Sequence, residues 1–334
     1  MRRLMRRRTL LRAMGAGLVA PGLAAHSLAF AQASRIATVA VLFAGDSDDD
    51  EAAVRPFFEQ MARFGWTEGK TVIYDRHSGK GTRQYLATMA SLAAGREPDL
   101  IYATTTTLTA AVLKETDTVP VVFATAADPV AAGLVASLAK PGRNATGTYL
   151  VPGDASARRF ALLRQAMPAV KRLGAVFDRA TQDYEKRKAA HEKSARAAGL
   201  ELVSAEFTNF EAIAKIFAQF KRDGLTVVEI TPSFALIGRR REVATLAERN
   251  GIALVAHRIE WAEAGAVLTY GADSGESHRR AAGLADRILK GAKASDLPVE
   301  RVQKYEVAVN TRAAEALGLH LPQSILKGAV KVFS

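Results

Sequence analysis

The chain has 334 residues, a formal net charge of +12 and no cysteine. The lack of cysteine excludes disulfides, thiolate metal sites and a lipid-anchored lipoprotein, which needs a cysteine directly after its signal. About half of the residues are apolar, so a mature chain of about 300 residues is long enough for two domains, each with its own core.

The N-terminal segment has the pattern of an export signal. Its basic head contains arginines 2, 3, 6, 7, 8 and 12, and no further charge occurs before Arg35. The stretch between is rich in Ala, Gly and Leu and ends at Ala29-Phe30-Ala31, with small residues where a signal peptidase reads the chain. We therefore predict that residues 1–31 are cleaved before Gln32 and that the mature protein is periplasmic.

Two questions about this segment stay open. About 20 apolar residues can span a bilayer, although Pro21, Gly22 and His26 argue against a retained helix. Arg7-Arg8-Thr9-Leu10-Leu11 resembles a twin-arginine signal, which would export a folded chain, whereas a crowded basic head also suits a plain secretory signal.

The basic charge does not indicate a nucleic-acid partner. Removing residues 1–31 takes away six arginines and no acid, so the formal charge falls from +12 to +6. The remaining basic residues are spread along predicted helices, as expected for solvated helix surfaces.

The first part of the mature chain alternates strand and helix patterns. Residues 36–43 form a nearly continuous apolar run, which is typical of a strand covered on both faces. Val54, Phe57 and Met61 then recur at helical spacing, and Gly65 stops that helix. Further strands are predicted at 71–74, 100–103 and 119–123, with helices near 82–94 and 106–116 and one starting at Asp128-Pro129.

The same alternation restarts after turn-forming residues near Pro152-Gly153. Strands are predicted at 173–177, 202–205, 227–230, 252–256, 267–270 and 305–309, and helices near 181–198, 209–222, 235–249, 274–290 and 311–317. Two successive runs of this kind predict an α/β fold with two doubly wound, mainly parallel sheets.

In such sheets, ligands bind beyond the carboxyl ends of the strands, and two lobes with facing loops enclose a cleft. The predicted loops at these ends are rich in hydroxyls and carboxylates. The candidate ligand-binding residues are Asp46, Thr105, Thr106, Thr125, Asp128, Asp178, Thr231, Ser233, Tyr270 and Asp273.

Several candidates have both a structural and a ligand-binding interpretation. Thr105 and Thr106 belong to four consecutive threonines; one can cap the following helix, and the others would suit a ligand carboxylate. Asp128 can cap a helix or pair with a ligand ammonium group. Trp261 and Tyr270 can pack in the interior or form an aromatic wall against the ligand.

The sequence contains no pattern typical of an enzyme or a metal site. Gly15-Ala-Gly17-Leu-Val-Ala20 matches a dinucleotide fingerprint by letter, but arginines of the leader precede it where a strand is required. There is no Gly-x-Ser-x-Gly elbow, and the six histidines never fall in metal-ligand spacing. We therefore predict a protein that is not an enzyme and has no metal or cofactor.

Several segments resemble one family of ABC-transporter substrate-binding proteins, related to tryptophan-binding components. The matching segments are Gly65–Val72, Asp128–Gly147, Ala264–Gly271, Arg279–Ala282, Ile288–Glu300 and Ala316–Pro322. The resemblance covers essentially the whole mature chain in register.

The resemblance implies a type I periplasmic binding-protein fold, in which three crossings form a hinge. The N-terminal lobe would comprise 32–150 and about 271–303, and the C-terminal lobe 151–270 and about 304–334. It also implies a monomeric, periplasmic solute-binding component of an ABC importer. Such a component would hold a small ligand, for example an aromatic amino acid or related carboxylate, in the cleft and present it to an inner-membrane permease.

Two alternatives stay open at this point. A sensing module that docks onto a receptor kinase would use the same fold and cleft, and a secreted α/β enzyme would use the same architecture. The chain also departs from the family at the predicted cleft rim, which leaves the ligand open. Relatives usually carry Gly-Thr-Pro at 105–107, Val-Gly-Asp-Pro around Asp128 and a Tyr-Asn-Pro-like turn at 178–180.

Overall fold

The computed structural model describes residues 35–334 except Asp46, Gly81, Ala126 and the ranges 151–154 and 182–183. The predicted export signal and the candidate Asp46 thus lie outside the described residues. No helix within the described ranges is both long enough and apolar enough to cross a bilayer.

The described residues of the first half of the chain form five strands and three α-helices in alternation. In chain order they are β1 (Ala37–Phe43), α1 (Ser47–Arg63), β2 (Val72–Ser78), α2 (Leu86–Gly95), β3 (Leu100–Ala103), α3 (Thr106–Glu115), β4 (Val121–Thr125) and β5 (Ala145–Leu150).

The second half repeats the alternation and then adds a short tail. Its elements are α4 (Ala155–Ala166), β6 (Arg172–Asp178), α5 (Tyr184–Ala197), β7 (Glu201–Phe207), α6 (Ala212–Arg222), β8 (Val227–Ile230), α7 (Phe234–Gly238), α8 (Arg240–Arg249), β9 (Ala253–Ala256), α9 (Ile259–Ala264), β10 (Leu268–Ala272), α10 (Ser274–Leu289), β11 (Glu300–Val302), β12 (Tyr305–Asn310), α11 (Thr311–Ala316), α12 (Gln323–Gly328) and β13 (Lys331–Phe333).

These strands form two sheets, each with helices on both faces. The first sheet, in the order β11-β5-β4-β3-β1-β2, is parallel throughout. The second has the order β13-β12-β10-β9-β8-β6-β7, in which only the β10–β12 pairing is antiparallel. We call each sheet with its covering helices a lobe. The prediction of an α/β fold with two doubly wound lobes is therefore confirmed.

β1 illustrates why the apolar runs become central strands. Val39, Val41 and Phe43 pack with α1 and α10 on one face of the sheet. Ala40 and Leu42 pack with α2 and α3 on the other face. Since successive side chains of a strand point to opposite faces, only a continuous apolar run can fill both cores.

The chain passes between the lobes three times. It leaves the first sheet at Leu150 and enters α4 at Ala155, through residues that are not described. It returns from β10 to α10 at Asp273, and crosses again between β11 and β12 at residues 303–304. The second and third crossings are bonded to each other, because the Asp273 amide donates to the Lys304 carbonyl at 2.8 Å.

Two predicted elements differ in the structure. The helix expected at Asp128-Pro129 is a turn ending at Gly133, whose φ of +68° leaves the helical region after one turn. The helix expected at 235–249 is divided into α7 and α8 at Arg239, whose φ and ψ of −124° and 31° are not helical.

Candidate functional site

Three predicted residues of the second lobe lie together at the carboxyl ends of β6 and β8. The Ser233 hydroxyl donates to the Asp178 carboxylate at 2.7 Å, and the Thr231 hydroxyl donates to the Val176 carbonyl at 2.7 Å. All three predicted residues are buried. Ser233 also caps α7, since its side chain accepts from the Leu236 amide. Because β6 and β8 are adjacent parallel strands, they bring together Asp178 and Ser233, which are 55 residues apart in sequence.

A small cavity lies beside this group. Its volume of about 10 Å³ is about enough for one water molecule. The lining combines a carboxylate, a guanidinium, hydroxyls and aromatic rings. These side chains belong to Phe177, Asp178, Thr181, Tyr184, Arg187, His191, Thr231 and Pro232.

Three rings form the aromatic side of this cavity. Phe177 meets Tyr184 edge to face with centroids 6.5 Å apart, and it meets His191 in the same way at 5.7 Å. Burial lowers the pKa of His191, and the neighbouring Glu229 opposes this only in part. His191 is therefore neutral at neutral pH. The cavity thus has an aromatic wall beside its polar residues.

A buried ion pair lies next to His191 of this aromatic wall. Arg159 of α4 donates to the Glu229 carboxylate of β8 through Nε at 2.9 Å and Nη2 at 2.7 Å. Arg159 also donates to the Tyr270 carbonyl at 2.8 Å, and His191 lies 3.6 Å from the same Glu229 oxygen. The side chains of Arg159 and Glu229 are only 2% and 0% exposed, so neither charge is solvated by water.

In the first lobe, the threonine run joins β3 to α3. The Thr105 side chain caps α3 by accepting from the Leu108 amide, so the structural interpretation of this residue is confirmed. The Thr104 hydroxyl donates to the Leu42 carbonyl at 2.9 Å. Thr106 is the first residue of α3 and is half-buried. Among these threonines, Thr106 stays the stronger ligand-binding prediction.

The other two candidates of this lobe follow β4. The buried Thr125 hydroxyl donates to the Ala127 carbonyl at 3.0 Å. Asp128 is exposed, and its carboxylate accepts from the Val130 amide at 2.9 Å and from the Ala131 amide at 3.3 Å. It therefore caps its own turn with one carboxylate oxygen.

Asp273 lies at the hinge, directly on the second crossing. Its carboxylate caps α10 by accepting from the Glu276 amide and pairs with Lys304 at 2.9 Å. Burial alone would raise the pKa of Asp273, but the hydrogen bonds from Lys304 and the Glu276 amide lower it instead. Burial next to Asp273 and Glu260 raises the pKa of Glu306 in β12 to about 7.

Tyr270 does not end its strand, because β10 continues through Ala272. Its ring stacks on Tyr305 of β12 with centroids 5.7 Å apart and planes at 16°. It also packs against the apolar cluster beneath α4. Trp261 is fully buried in the second lobe. These contacts support the interpretation that Trp261 and Tyr270 pack in the interior. Ligand stacking by Tyr270 stays a prediction.

Sequence reasoning missed the buried pair Arg159–Glu229. Glu229 is the single charged residue of a four-residue buried strand, Val-Val-Glu-Ile, and such a position signals a buried partner. Arg159 carried no comparable signal, because an arginine on a helix is ordinarily solvated.

A second group that the sequence did not indicate lies between the loop after β9 and the start of α10. Arg258 pairs with Glu260 at 2.8 Å, and the Ser274 hydroxyl donates to the same carboxylate at 2.9 Å. Burial alone would raise the pKa of Glu260, but Arg258 and Ser274 outweigh it and lower the pKa to about 2. Glu260 is therefore ionised, and it links the loop after β9 to the first turn of α10.

Within the described part of the chain, no three histidine or acidic side chains are grouped closely enough to hold a metal ion. The expectation that the protein has no metal stays a prediction.

Comparison with protein families gives a match over most of the chain. A family model described as "ABC transporter substrate binding protein" matches residues 37–333. This range includes both lobes and all three crossings.

The individual relatives described next share less than a quarter of their residues with this chain. The "Tyrosine-binding protein" of Clostridioides difficile strain R20291 is 23% identical over 271 residues, which are 80% of this chain and 77% of that protein. A solved ABC domain from Streptococcus pneumonia, in complex with L-Trp, is 21% identical with a TM-score of 0.78, covering 89% of this chain and 99% of that one. A conserved domain protein of Vibrio cholerae O1 biovar eltor has the same TM-score at 23% identity, covering 89% of this chain and 100% of that one. At these identities the solved structures show the fold alone, which is that of type I periplasmic binding proteins.

Proposed function

The chain belongs to the ABC transporter substrate-binding protein family, and from that premise we propose that it binds a small zwitterionic ligand with an aromatic or otherwise planar part. Substrate-binding proteins of this kind take up small ligands and are not typically enzymes. The proposed ligand class is an aromatic amino acid or a related carboxylate, held between the two lobes.

The cavity at the ends of β6 and β8 is the observation that carries this proposal. An α-amino acid needs an acceptor for its ammonium group and a donor for its carboxylate, and Asp178 and Arg187 lie in one cavity wall. The rings of Phe177, Tyr184 and His191 supply an apolar surface beside them. Two relatives, named for tyrosine or crystallised with L-Trp, support the same class.

The cavity volume of about 10 Å³ is too small for such a ligand, so the lobes must part to admit it, and the loops that line the cavity must move to make room before the lobes close on it. The first lobe would then contribute Thr106, Thr125 and Asp128 from the opposite side. Hinge motion at the three crossings supplies this movement without disturbing either sheet.

Within the cell, the mature chain would lie in the periplasm as a monomer after cleavage before Gln32. There it would deliver its ligand to an inner-membrane ABC permease. Mass spectrometry of the exported protein tests the cleavage site.

The ligand class is tested by a thermal-shift screen followed by calorimetry with L-tryptophan, L-tyrosine, L-leucine, benzoate and adenosine. A ligand at a hundred times its Kd adds about 2.7 kcal/mol to the stability of the folded state, which such a screen detects readily. We expect the aromatic amino acids to bind most tightly. Binding of adenosine alone, or of none of the five compounds, would contradict the proposed class.

Two matched variants then assign the polar groups. Asp178→Asn keeps one acceptor oxygen for the Ala180 amide and places an NH2 group where the second oxygen accepts from Ser233, whose hydroxyl can turn to accept instead. It removes the charge that faces an ammonium group. It should weaken binding of the amino acid about tenfold or more and leave benzoate, which has no ammonium group, nearly unchanged. Asp128→Asn in the first lobe is the parallel variant, and whichever aspartate shows this selective loss is the ammonium partner. Equal affinities in both variants and the wild type would remove both residues from the site.

A further inference from the structure

The short helix α7 belongs to the second lobe in sequence but packs on the first. Phe234 is 5% exposed, and it lies in the apolar cluster formed by Ala44, Leu108 and other first-lobe residues. Ile237 packs against the same cluster and also against the core of its own lobe. A single turn of helix thus joins the two cores.

The backbones of the two lobes also meet at this point. A Cβ atom added at Gly45, just beyond β1, would lie 2.7 Å from the Gly238 Cα and 2.9 Å from the Gly238 carbonyl carbon. Real Cβ atoms essentially never approach other atoms this closely, so this contact requires glycine at position 45. Gly79, after β2, faces the same segment, since its added Cβ would lie 3.2 Å from the Phe234 ring.

The segment is held firmly in its own lobe. Ser233 caps α7 and donates to Asp178 at 2.7 Å, and the Arg240 guanidinium donates to the Ile237 carbonyl at 3.0 Å. Movement of the second lobe must therefore carry Phe234 and Gly238 with it. The Asp178 connection also links α7 directly to the cavity described above.

We propose that residues 234–238 are an interlobe latch, and that the Gly45–Gly238 contact determines how fully the cleft closes and how long a ligand stays bound. Closure buries Phe234 in the first lobe. Burial of a phenylalanine side chain contributes substantially to the free-energy difference between the open and closed states of a hinge. The latch stabilises the closed state whether or not ligand is present. The effect on binding rests on the proposed function, whereas the effect on closure does not.

Gly45→Ala tests the latch by adding one methyl group where the lobes meet. In full-length protein without ligand, small-angle X-ray scattering should show a larger radius of gyration than in the wild type, because the closed state is disfavoured. With L-tryptophan or L-tyrosine as probe, affinity should fall about tenfold. Stopped-flow measurements should place this loss in a faster dissociation rate, with an association rate that is unchanged or faster.

Two further variants separate the latch from general damage. Gly283→Ala in α10 adds a methyl group where nothing lies within 4 Å, so it should change neither the scattering nor the binding rates. Phe234→Ala removes the apolar contact without adding bulk, and it should open the ligand-free protein as Gly45→Ala does. A radius of gyration equal to the wild type in both Gly45→Ala and Phe234→Ala would overturn the proposal. Failure of both amino acids to bind wild-type protein would instead contradict the proposed function, because the scattering measurement needs no ligand.

Discussion

The two lobes have similar architecture, but their fully buried polar contacts between sheet and helix differ in charge. In the second lobe, charged groups lie between the sheet and its helices, as Arg159 of α4 meets Glu229 of β8 with both side chains out of water. In the first lobe, the fully buried polar contacts from the sheet to α10 join neutral groups. There the Tyr102 hydroxyl is bonded to His278, and the Thr148 hydroxyl is bonded to Ser277 at 2.7 Å.

The neutrality of the first-lobe contact has a clear cause. Burial, together with the nearby Arg258, lowers the pKa of His278 to about 3, so this histidine carries no charge at neutral pH. A neutral pair needs little solvation, whereas a buried ion pair is stable only while both partners are present. The lobes should therefore respond differently to the loss of one buried group.

The largest effect is expected for Glu229→Gln. This change keeps the shape of the side chain but leaves the Arg159 guanidinium buried without a counter-charge. Breaking a buried pair in this way costs about 3–5 kcal/mol of unfolding free energy. Urea denaturation measures this loss.

Glu201→Gln is the matched control for that measurement. Glu201 also lies on a second-lobe strand and pairs with Arg172, but these side chains are 61% and 49% exposed. An exposed pair contributes about 1 kcal/mol at most. Equal losses of unfolding free energy in the two variants would show that the buried pair contributes no more than the exposed pair. The contrast between the lobes would then be removed.

A smaller effect is expected for Tyr102→Phe in the first lobe. The change preserves the stacking on Phe57, whose ring lies 4.0 Å away, but removes the partner of the buried His278 nitrogen. Leaving one neutral buried group unpaired costs about 1–3 kcal/mol. Urea denaturation of this variant beside Tyr85→Phe, where the side chain is exposed, checks the value. A loss as large as that of Glu229→Gln would contradict the contrast.

The smallest effect should depend on pH. Because the pKa of Glu306 is raised to about 7, the folded protein keeps this proton at pH values where the unfolded chain has released it. Stability from this group is present below about pH 4.5 and is lost as the pH rises through 7. Glu306→Gln should thus gain about 1 kcal/mol over the wild type at pH 8, since partial exposure reduces the full effect, and nothing at pH 4. Thermal unfolding of both proteins across this range measures the difference, and a constant offset at all pH values would refute it.

The elements that the sequence predicted share one property. Each contains enough apolar residues for its hydrophobic pattern to be recognised without knowing what the element packs against. In β1, for example, both faces are apolar. β5 was missed because Thr146 and Thr148 occupy buried positions in it. These hydroxyls are acceptable there only because the Leu297 carbonyl and Ser277, about 130 to 150 residues later, accept or share their hydrogen bonds.

The candidate site shows the same division. The sequence identified hydroxyls and carboxylates after apolar strands, and it correctly indicated that one threonine of the run at 104–107 can cap a helix, which in the structure is Thr105. It could not indicate that Ser233 reaches Asp178, because that depends on β6 and β8 being neighbours. It also could not indicate that α7 packs on the other lobe, since Phe234 and Ile237 have the same apolar pattern whichever core receives them.

Sequence alone therefore determined the class of the fold, the alternation of its elements and the family, because these depend on local periodicity and on segments that keep their register. Tertiary structure decided which loops share a cavity, which buried charges have partners and where the two lobes meet. These features arise from pairs of residues that are far apart in the chain, and each member of a pair is chemically ordinary until the fold brings the other beside it.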